Sequence, residues 1–489
     1  MARKFFWALA AVSALLSGCV KHNPEMPDSG QDGYDEDVLY YANLFGYNIM
    51  SLYYLWHDEV EAEYATWTFG SDPVEKVEQM RYRDASGKEV DRWTRMLPDY
   101  HGFLGSVTGN TNSFGLDFVL YYADSSRKKV AGVVTFTYPD SPARRAGSAR
   151  GDVFLTLNGA EMTPDNYSEI INSTIYGGGT VTLGFRDGRS FTLVAEAMYE
   201  NPVQSVSVLV SGNKKVGYLH YSGFTLNSCE DLIPVFQTFK DEGIRELVVD
   251  LRYNGGGYAM AATILGSMIA PPDVVAAGKV FNKDIYNKRL TKEFGDENSC
   301  FAETFAYTTE GRKVTVNPGS VNPGVDRVWF ITSGNTASAS ESLICGLKPY
   351  MDVRTVGQRT YGKFCGGYLI TADSWYESLS KEKSDVNCTE ALNLVADWGI
   401  YVIATRYTDC NGVTLSMPDG IPADYDIQDD PLDGYPLGDP SETMLARVLS
   451  EISGTKAPSP ASSAAAPVPL SSPRPAGFGV RILSGQAAD

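Results

Sequence analysis

Histidine is the scarcest chemically versatile residue in this chain, four in 489, which leaves few imidazoles for a metal site or for a base near neutral pH. Cations are in the minority as well, 41 Lys+Arg against 60 Asp+Glu. The formal charge of −19 lacks the clustered positive charge from which nucleic-acid binding draws its affinity. Cysteine is sparse too. Beyond Cys19, the six cysteines Cys229, Cys300, Cys345, Cys365, Cys388 and Cys410 form no C-x-x-C pair and no metal-ligand spacing, leaving disulfides and buried free thiols both open. No apolar run approaches the roughly 20 residues that cross a bilayer as a helix. Glycine (47) and proline (25) are at ordinary levels, which excludes collagen-like and globally disordered chains. What remains is 43% hydrophobic residues with 29 tyrosines, enough for two to four domains with a sizeable core. Partners are expected to be proteins, peptides or neutral molecules, without nucleic acid.

The N-terminus carries Arg3 and Lys4, a short apolar stretch from Phe5 to Leu16, then Leu16-Ser17-Gly18-Cys19. This resembles a bacterial lipoprotein signal with its lipobox. The resemblance implies cleavage before Cys19, lipidation of its thiol, and anchoring in the cell envelope at the periplasmic face or the outer-membrane surface. The alternatives are an ordinary signal peptide or a membrane span, and the apolar run is too short to span a bilayer. The boundaries expected are a signal at 1–18, a polar tether at 19–36 and a helical N-terminal domain at 37–108. In the last, apolar and aromatic residues from Val38 to Trp56 recur at helical spacing.

Residues 109–200 show strand-like runs at 117–122, 130–137, 152–157, 180–185 and 189–195, with Asn158-Gly159 marking a tight hairpin turn. Phe114-Gly115-Leu116-Asp117-Phe118 opens the first strand, and Ser141-Pro142-Ala143-Arg144-Arg145-Ala146-Gly147 precedes Gly151-Asp152. Together they resemble a PDZ domain. The resemblance implies that Phe114 to Phe118 form a peptide-binding loop and that a peptide adds as a strand to the sheet edge. Residues 201–454 alternate strands and helices as an α/β domain does. The Pro/Ala/Ser-rich stretch at 455–489 is expected to be unstructured.

Three segments of the α/β region carry chemistry. Val328 to Thr332 reads as a buried strand leading through Ser333-Gly334-Asn335-Thr336-Ala337-Ser338 into a helix. That junction sets a hydroxyl beside the positive end of a helix dipole, where free N–H groups can hold an oxyanion. Ser338-x-x-Glu341 equally matches a helix capping box. Twenty-five positions on, Gly357-Gln358-Arg359-Thr360-Tyr361-Gly362-Lys363 supplies a lysine that burial could convert into a base. The third segment, Asp250-Leu251-Arg252-Tyr253-Asn254-Gly255-Gly256-Gly257, ends a buried strand in three glycines and fits neither a dinucleotide fingerprint nor a P-loop. Glycines there let a backbone N–H approach a substrate carbonyl. His220, at a strand end, is the rival base.

In this order behind a PDZ-like unit, the segments resemble the C-terminal processing peptidases, family S41. The resemblance implies an α/β multidomain protein with a ClpP/crotonase-like catalytic core. It also implies Ser338 as nucleophile, Lys363 as general base, and an oxyanion hole from the N–H groups of Gly256 and Ser338, with no metal or cofactor. The function expected is a serine endopeptidase acting on proteins or peptides outside the cytoplasm. The alternative is a catalytically silent lipoprotein of this fold that binds peptides or another ligand. Many family members carry a glutamine four residues after the lysine, where this chain has Gly367, and some an aspartate eleven after the serine, where it has Pro349. The partner that orients Lys363 is thus left open.

Overall fold

The structure, a computed structural model, describes residues 34–295, 297–381, 386–455, 469–470 and 480–482. The expected signal with Cys19, nearly all of the tether and most of the 455–489 tail lie outside the described residues. No helix among the described residues is long and apolar enough to cross a membrane.

Two sheets build the α/β region. The first runs in spatial order Val203–Ser211, Lys214–Tyr221, Glu246–Asp250, Arg327–Thr332, Asp352–Gly357, Tyr425–Asp426; all neighbours pair in parallel except the opening hairpin. Its central strands are continuous apolar runs because both faces are covered. Leu247, Val249, Val328 and Phe330 pack with Leu232, Phe236, Ile264 and Leu343 of three helices on one face. Val248, Trp329, Ile331 and Val356 meet Met444, Leu445 and Val448 of the helix Thr443–Ser453 on the other. The period of two along each strand thus feeds two separate clusters.

The three segments that carry chemistry follow three adjacent parallel strands, Glu246–Asp250, Arg327–Thr332 and Asp352–Gly357. Register pairs Asp250 with Ile331 and Thr332 with Gly357, so all three turns emerge side by side at the carboxyl ends of the strands.

The second sheet orders Glu297–Cys300, Val280–Tyr286, Gly399–Thr408, Cys365–Thr371, all antiparallel; residues 480–482 add to its outer edge in parallel, and Arg95–Leu97 pairs with Gly399–Thr408. Asp35 caps the helix Glu36–Tyr53, and two acidic residues follow in its first turn. That helix lays Tyr41, Phe45 and Ile49 over Tyr368, Ile370, Ile400 and Val402. The helical N-terminal segment therefore shares its core with the second sheet.

The β-rich unit at 109–200 is an antiparallel sheet of Leu116–Tyr122, Val130–Thr137, Val153–Leu157, Thr180–Phe185 and Ser190–Val194 around Phe118, Val134, Phe154, Leu157, Ile171 and Leu183. Asn158 and Gly159 both take positive φ, 51° and 79°, as a two-residue hairpin between Leu157 and Ala160 requires. Residues 469–470 pair antiparallel with Leu120 and Tyr121 on the outer edge of the first strand.

Candidate active site

Ser338 occupies the junction between the strand Arg327–Thr332 and the helix Ala339–Leu347, with φ 57° and ψ −112°. A side chain at that backbone conformation costs on the order of 1–3 kcal/mol and persists only where the surroundings over-determine it. They do so here. Thr336 donates its hydroxyl to Leu251 O at 2.8 Å, Ala337 N–H donates to Asn254 O at 3.2 Å, and Ser340 donates its hydroxyl to the same carbonyl at 3.1 Å. The serine turn is thereby stitched to the glycine turn. A Cβ on Gly256 would lie 2.9 Å from Ser338 Cβ, so only glycine allows this approach.

Lys363 comes from the third turn and is fully buried, as Ser338 nearly is. Glu341 joins the two. Its Oε2 accepts the Ser338 N–H at 2.9 Å and the Lys363 N–H at 2.8 Å, while its Oε1 accepts the Gly362 N–H at 2.8 Å and the Thr360 hydroxyl at 2.5 Å. The capping-box glutamate is thus a brace between two loops as well as a helix cap. Tyr407 adds a second tie, donating to Lys363 O at 2.9 Å with Ser338 O at 3.3 Å. Gly362, at φ 89°, has Pro418 O and Gly420 N within 2.8 Å of its missing Cβ, which explains the glycine before the lysine.

Burial lowers the Lys363 pKa to about 7, an amine that is substantially neutral in mild alkali. Burial pushes the Glu341 carboxyl up to about 7, its four donors holding it from rising further. The Lys363 ammonium position lies 5.5 Å from the Trp93 ring and 5.1 Å from the Tyr401 ring, and Nζ donates to the Tyr401 hydroxyl at 3.1 Å.

The two N–H groups expected to form an oxyanion hole are already engaged. The Gly256 N–H donates to Asn254 Oδ1 at 2.8 Å, and the Ser338 N–H donates to Glu341. The reason is local: Asn254 folds back over its own turn and Glu341 over its own helix start, capturing the nearest donors. Their neighbours, the N–H groups of Gly257 and Ala339, have no acceptor among the described residues and line the depression beside Ser338. Ser342 and Gly366 line its walls.

His220 stands apart from this site. Burial lowers its pKa to about 4, and its ring is wedged against Phe136 and Tyr253 at 5.1 and 6.3 Å, with Nε2 lacking a partner among the described residues. It packs where the β-rich unit meets the α/β sheet. The Phe114 to Phe118 loop lies in the β-rich unit and is tied inward: Gly115 N–H donates to the Ser113 hydroxyl at 2.9 Å, Phe114 O and Gly115 O accept from Ala143 and Tyr138, and Asp117 accepts the Thr135 hydroxyl at 2.5 Å. The six described cysteines beyond Cys19 are free thiols, four of them buried.

A buried charge cluster links that unit to the glycine turn. Arg252 pairs with Asp250, Asp429 and Glu442 at 2.8, 2.9 and 2.6 Å. Arg150, from the β-rich unit, donates to Tyr253 Oη at 2.7 Å and pairs with Asp429 at 3.3 Å. Burial alone would raise the Glu442 pKa; the adjacent Arg252 instead brings it down to about 2.

Trp93, Tyr401 and Tyr407 carry no local motif, and sequence reasoning passed over them. Comparison with known proteins defines the class first: the fold is that of S41 proteases. A crystal structure assigned to an S41 protease from Bacteroides fragilis matches with a TM-score of 0.62 at 20% identity, covering 88% of this chain and 99% of that one. Residues 215–426 match the model of Peptidase family S41, so the chain carries a domain of that family. Carboxyl-terminal-processing peptidase 2, chloroplastic, of Arabidopsis thaliana is 28% identical over 54% of this chain and 46% of its own length. The carboxyl-terminal-processing protease of Synechocystis is 22% identical over 73% of this chain and 78% of its own. The chain spans about half the length of the chloroplastic relatives it matches, 46% and 54%.

Proposed function

We propose that this protein is a serine endopeptidase that cleaves proteins or peptides outside the cytoplasm. The observation that carries the reading is one carboxylate, Glu341, accepting the backbone N–H groups of both Ser338 and Lys363 and so locking a strained serine beside a buried lysine inside an S41 domain. In the mechanism, neutral Lys363 takes the Ser338 proton as the oxygen attacks the scissile carbonyl. The Gly257 and Ala339 N–H groups, at the glycine turn and at the start of the helix, receive the developing oxyanion. Lys363 then returns the proton to the leaving amine, and water, deprotonated by the same amine, releases the acyl group. The β-rich unit is read as a PDZ-like module that takes up peptide along the Leu116–Val119 part of its outer strand, beyond the Leu120–Tyr121 part already paired with residues 469–470, and Cys19 as the lipid attachment point in the cell envelope.

The test uses protein lacking residues 1–19, incubated with casein and with peptides of varied C-termini beside Ser338→Ala and Lys363→Ala. Cleavage by the parent and by neither variant is expected. Cleavage that survives both substitutions would remove the dyad, and binding without cleavage by any form would favour a silent peptide-binding protein.

A further inference from the structure

A lysine that serves as a base sits on a flexible four-carbon stem, and its nitrogen must be held so that the lone pair faces the serine. Four residues after Lys363 the chain has Gly367, which offers no side chain for that task. The space beside Gly367 is nevertheless full. A Cβ there would lie 2.5 Å from Tyr401 Cζ and 2.8 Å from the Tyr401 hydroxyl oxygen. Tyr401 reaches this point from the neighbouring strand Gly399–Thr408, next to a register shift between Gly366 and Gly367.

The ring is fixed on several sides. It is fully buried, packs against Phe103 with centroids 5.2 Å apart, and its hydroxyl accepts from Lys363 Nζ at 3.1 Å. The Gly367 backbone N–H also hydrogen-bonds that hydroxyl. Trp93 faces the lysine with its ring 5.5 Å from Nζ. Burial holds the Tyr401 hydroxyl well above its ordinary pKa, so it stays a neutral phenol.

We infer that Tyr401 is the positioning residue of Lys363: its hydroxyl takes one amine N–H, leaving the lone pair to Ser338, and Gly367 is bare because the tyrosine ring occupies its side-chain space. The inference rests on the Ser338–Lys363 reading above. An acceptor on the amine also favours the ammonium form. The other titratable groups acting on Lys363 are Cys365, Arg95, Asp91 and Glu341, all of which remain in place in Tyr401→Phe.

Tyr401→Phe keeps the ring and deletes the acceptor. With peptide substrate, kcat is expected to fall by about 10²-fold, the loss typical of a misplaced catalytic group, with KM within about twofold. The ascending limb of the kcat/KM–pH profile should move down by about one unit, the worth of one hydrogen bond to the charged form. A tyrosine that only supports the fold would lower the melting temperature and leave the limb in place, which overturns the inference, as would wild-type kcat with a wild-type limb. A measurement that needs no turnover follows the Lys363 13Cε resonance against pH in Ser338→Ala protein with and without Tyr401→Phe. A lower midpoint in the double variant is expected, and an unchanged midpoint overturns the role. Full activity of Lys363→Ala would instead show that the dyad itself is wrong.

Discussion

Glu341→Gln isolates the brace between the serine turn and the lysine turn, and its cost can be worked from the four donors. A carboxylate accepts at both oxygens; a carboxamide accepts at one and donates at the other. If the new NH₂ took the Oε2 position it would face two N–H groups, those of Ser338 and Lys363, which can only donate. The amide should therefore turn its NH₂ towards Thr360 and Gly362. The Thr360 hydroxyl can rotate to accept, but the Gly362 N–H cannot. One charge-assisted bond is lost, about 1.5–3 kcal/mol, and one buried donor is left unmet, about 1–3 kcal/mol. The expected destabilisation is thus about 2.5–6 kcal/mol, read by urea denaturation with tryptophan fluorescence at pH 8, where the Glu341 carboxyl, with its pKa of about 7, is mostly ionised. Peptidase activity should fall with it, since Gly362 precedes Lys363 directly. A variant within 1 kcal/mol of the parent and within twofold of its rate would refute the brace.

Three further outcomes can be measured. Ser338→Gly should be more stable than Ser338→Ala by about 1 kcal/mol, because both lose the hydroxyl but only alanine keeps a Cβ at φ 57°; equal denaturation midpoints would contradict a strained junction. Lys363 has its pKa lowered from 10.5 to about 7 in the folded protein, so between these values the unfolded chain binds a proton that the folded one does not, and stability contributed at this site rises with pH across that window. Lys363→Met should accordingly gain most over the parent near pH 7 and progressively less towards pH 10, a trend followed by denaturation at several pH values. Among the described cysteines, Cys300 is exposed and Cys410 partly so, and these should react with iodoacetamide in native protein while Cys229, Cys345, Cys365 and Cys388 wait for denaturant, as mass spectrometry would resolve.

How far the sequence reaches depends on whether a feature is local. Strands in the β-rich unit are legible to within about a residue because alternation and turn residues such as Asn158-Gly159 act over a few positions. The three chemical segments are legible for a similar reason: each is a turn following a buried strand. Their convergence follows from adjacent parallel pairing of those strands. Tyr401 is not legible, since its contact with Lys363 spans 38 positions and depends on a register shift at Gly366 and Gly367. Trp93 arrives from the N-terminal segment, whose aromatic periodicity announces a helix but not that the following stretch packs against Lys363. That Asn254 and Glu341 accept the Gly256 and Ser338 N–H groups, the oxyanion donors expected from the sequence, is a matter of side-chain placement and is equally illegible. The bare Gly367 was visible from the start as an absence, and only the neighbouring strand explains it.

The buried cluster of Arg150, Arg252, Asp250, Asp429 and Glu442 places a charge inventory at the joint between the β-rich unit and the α/β sheet. Arg150 is the one member supplied by the β-rich unit, so withdrawing that unit would leave a single arginine among three carboxylates beside the glycine turn. Groups this deep are little screened by dissolved ions. Raising the salt should therefore leave the joint closed, whereas neutralising Arg150 by substitution should loosen it and disturb the turn at Tyr253.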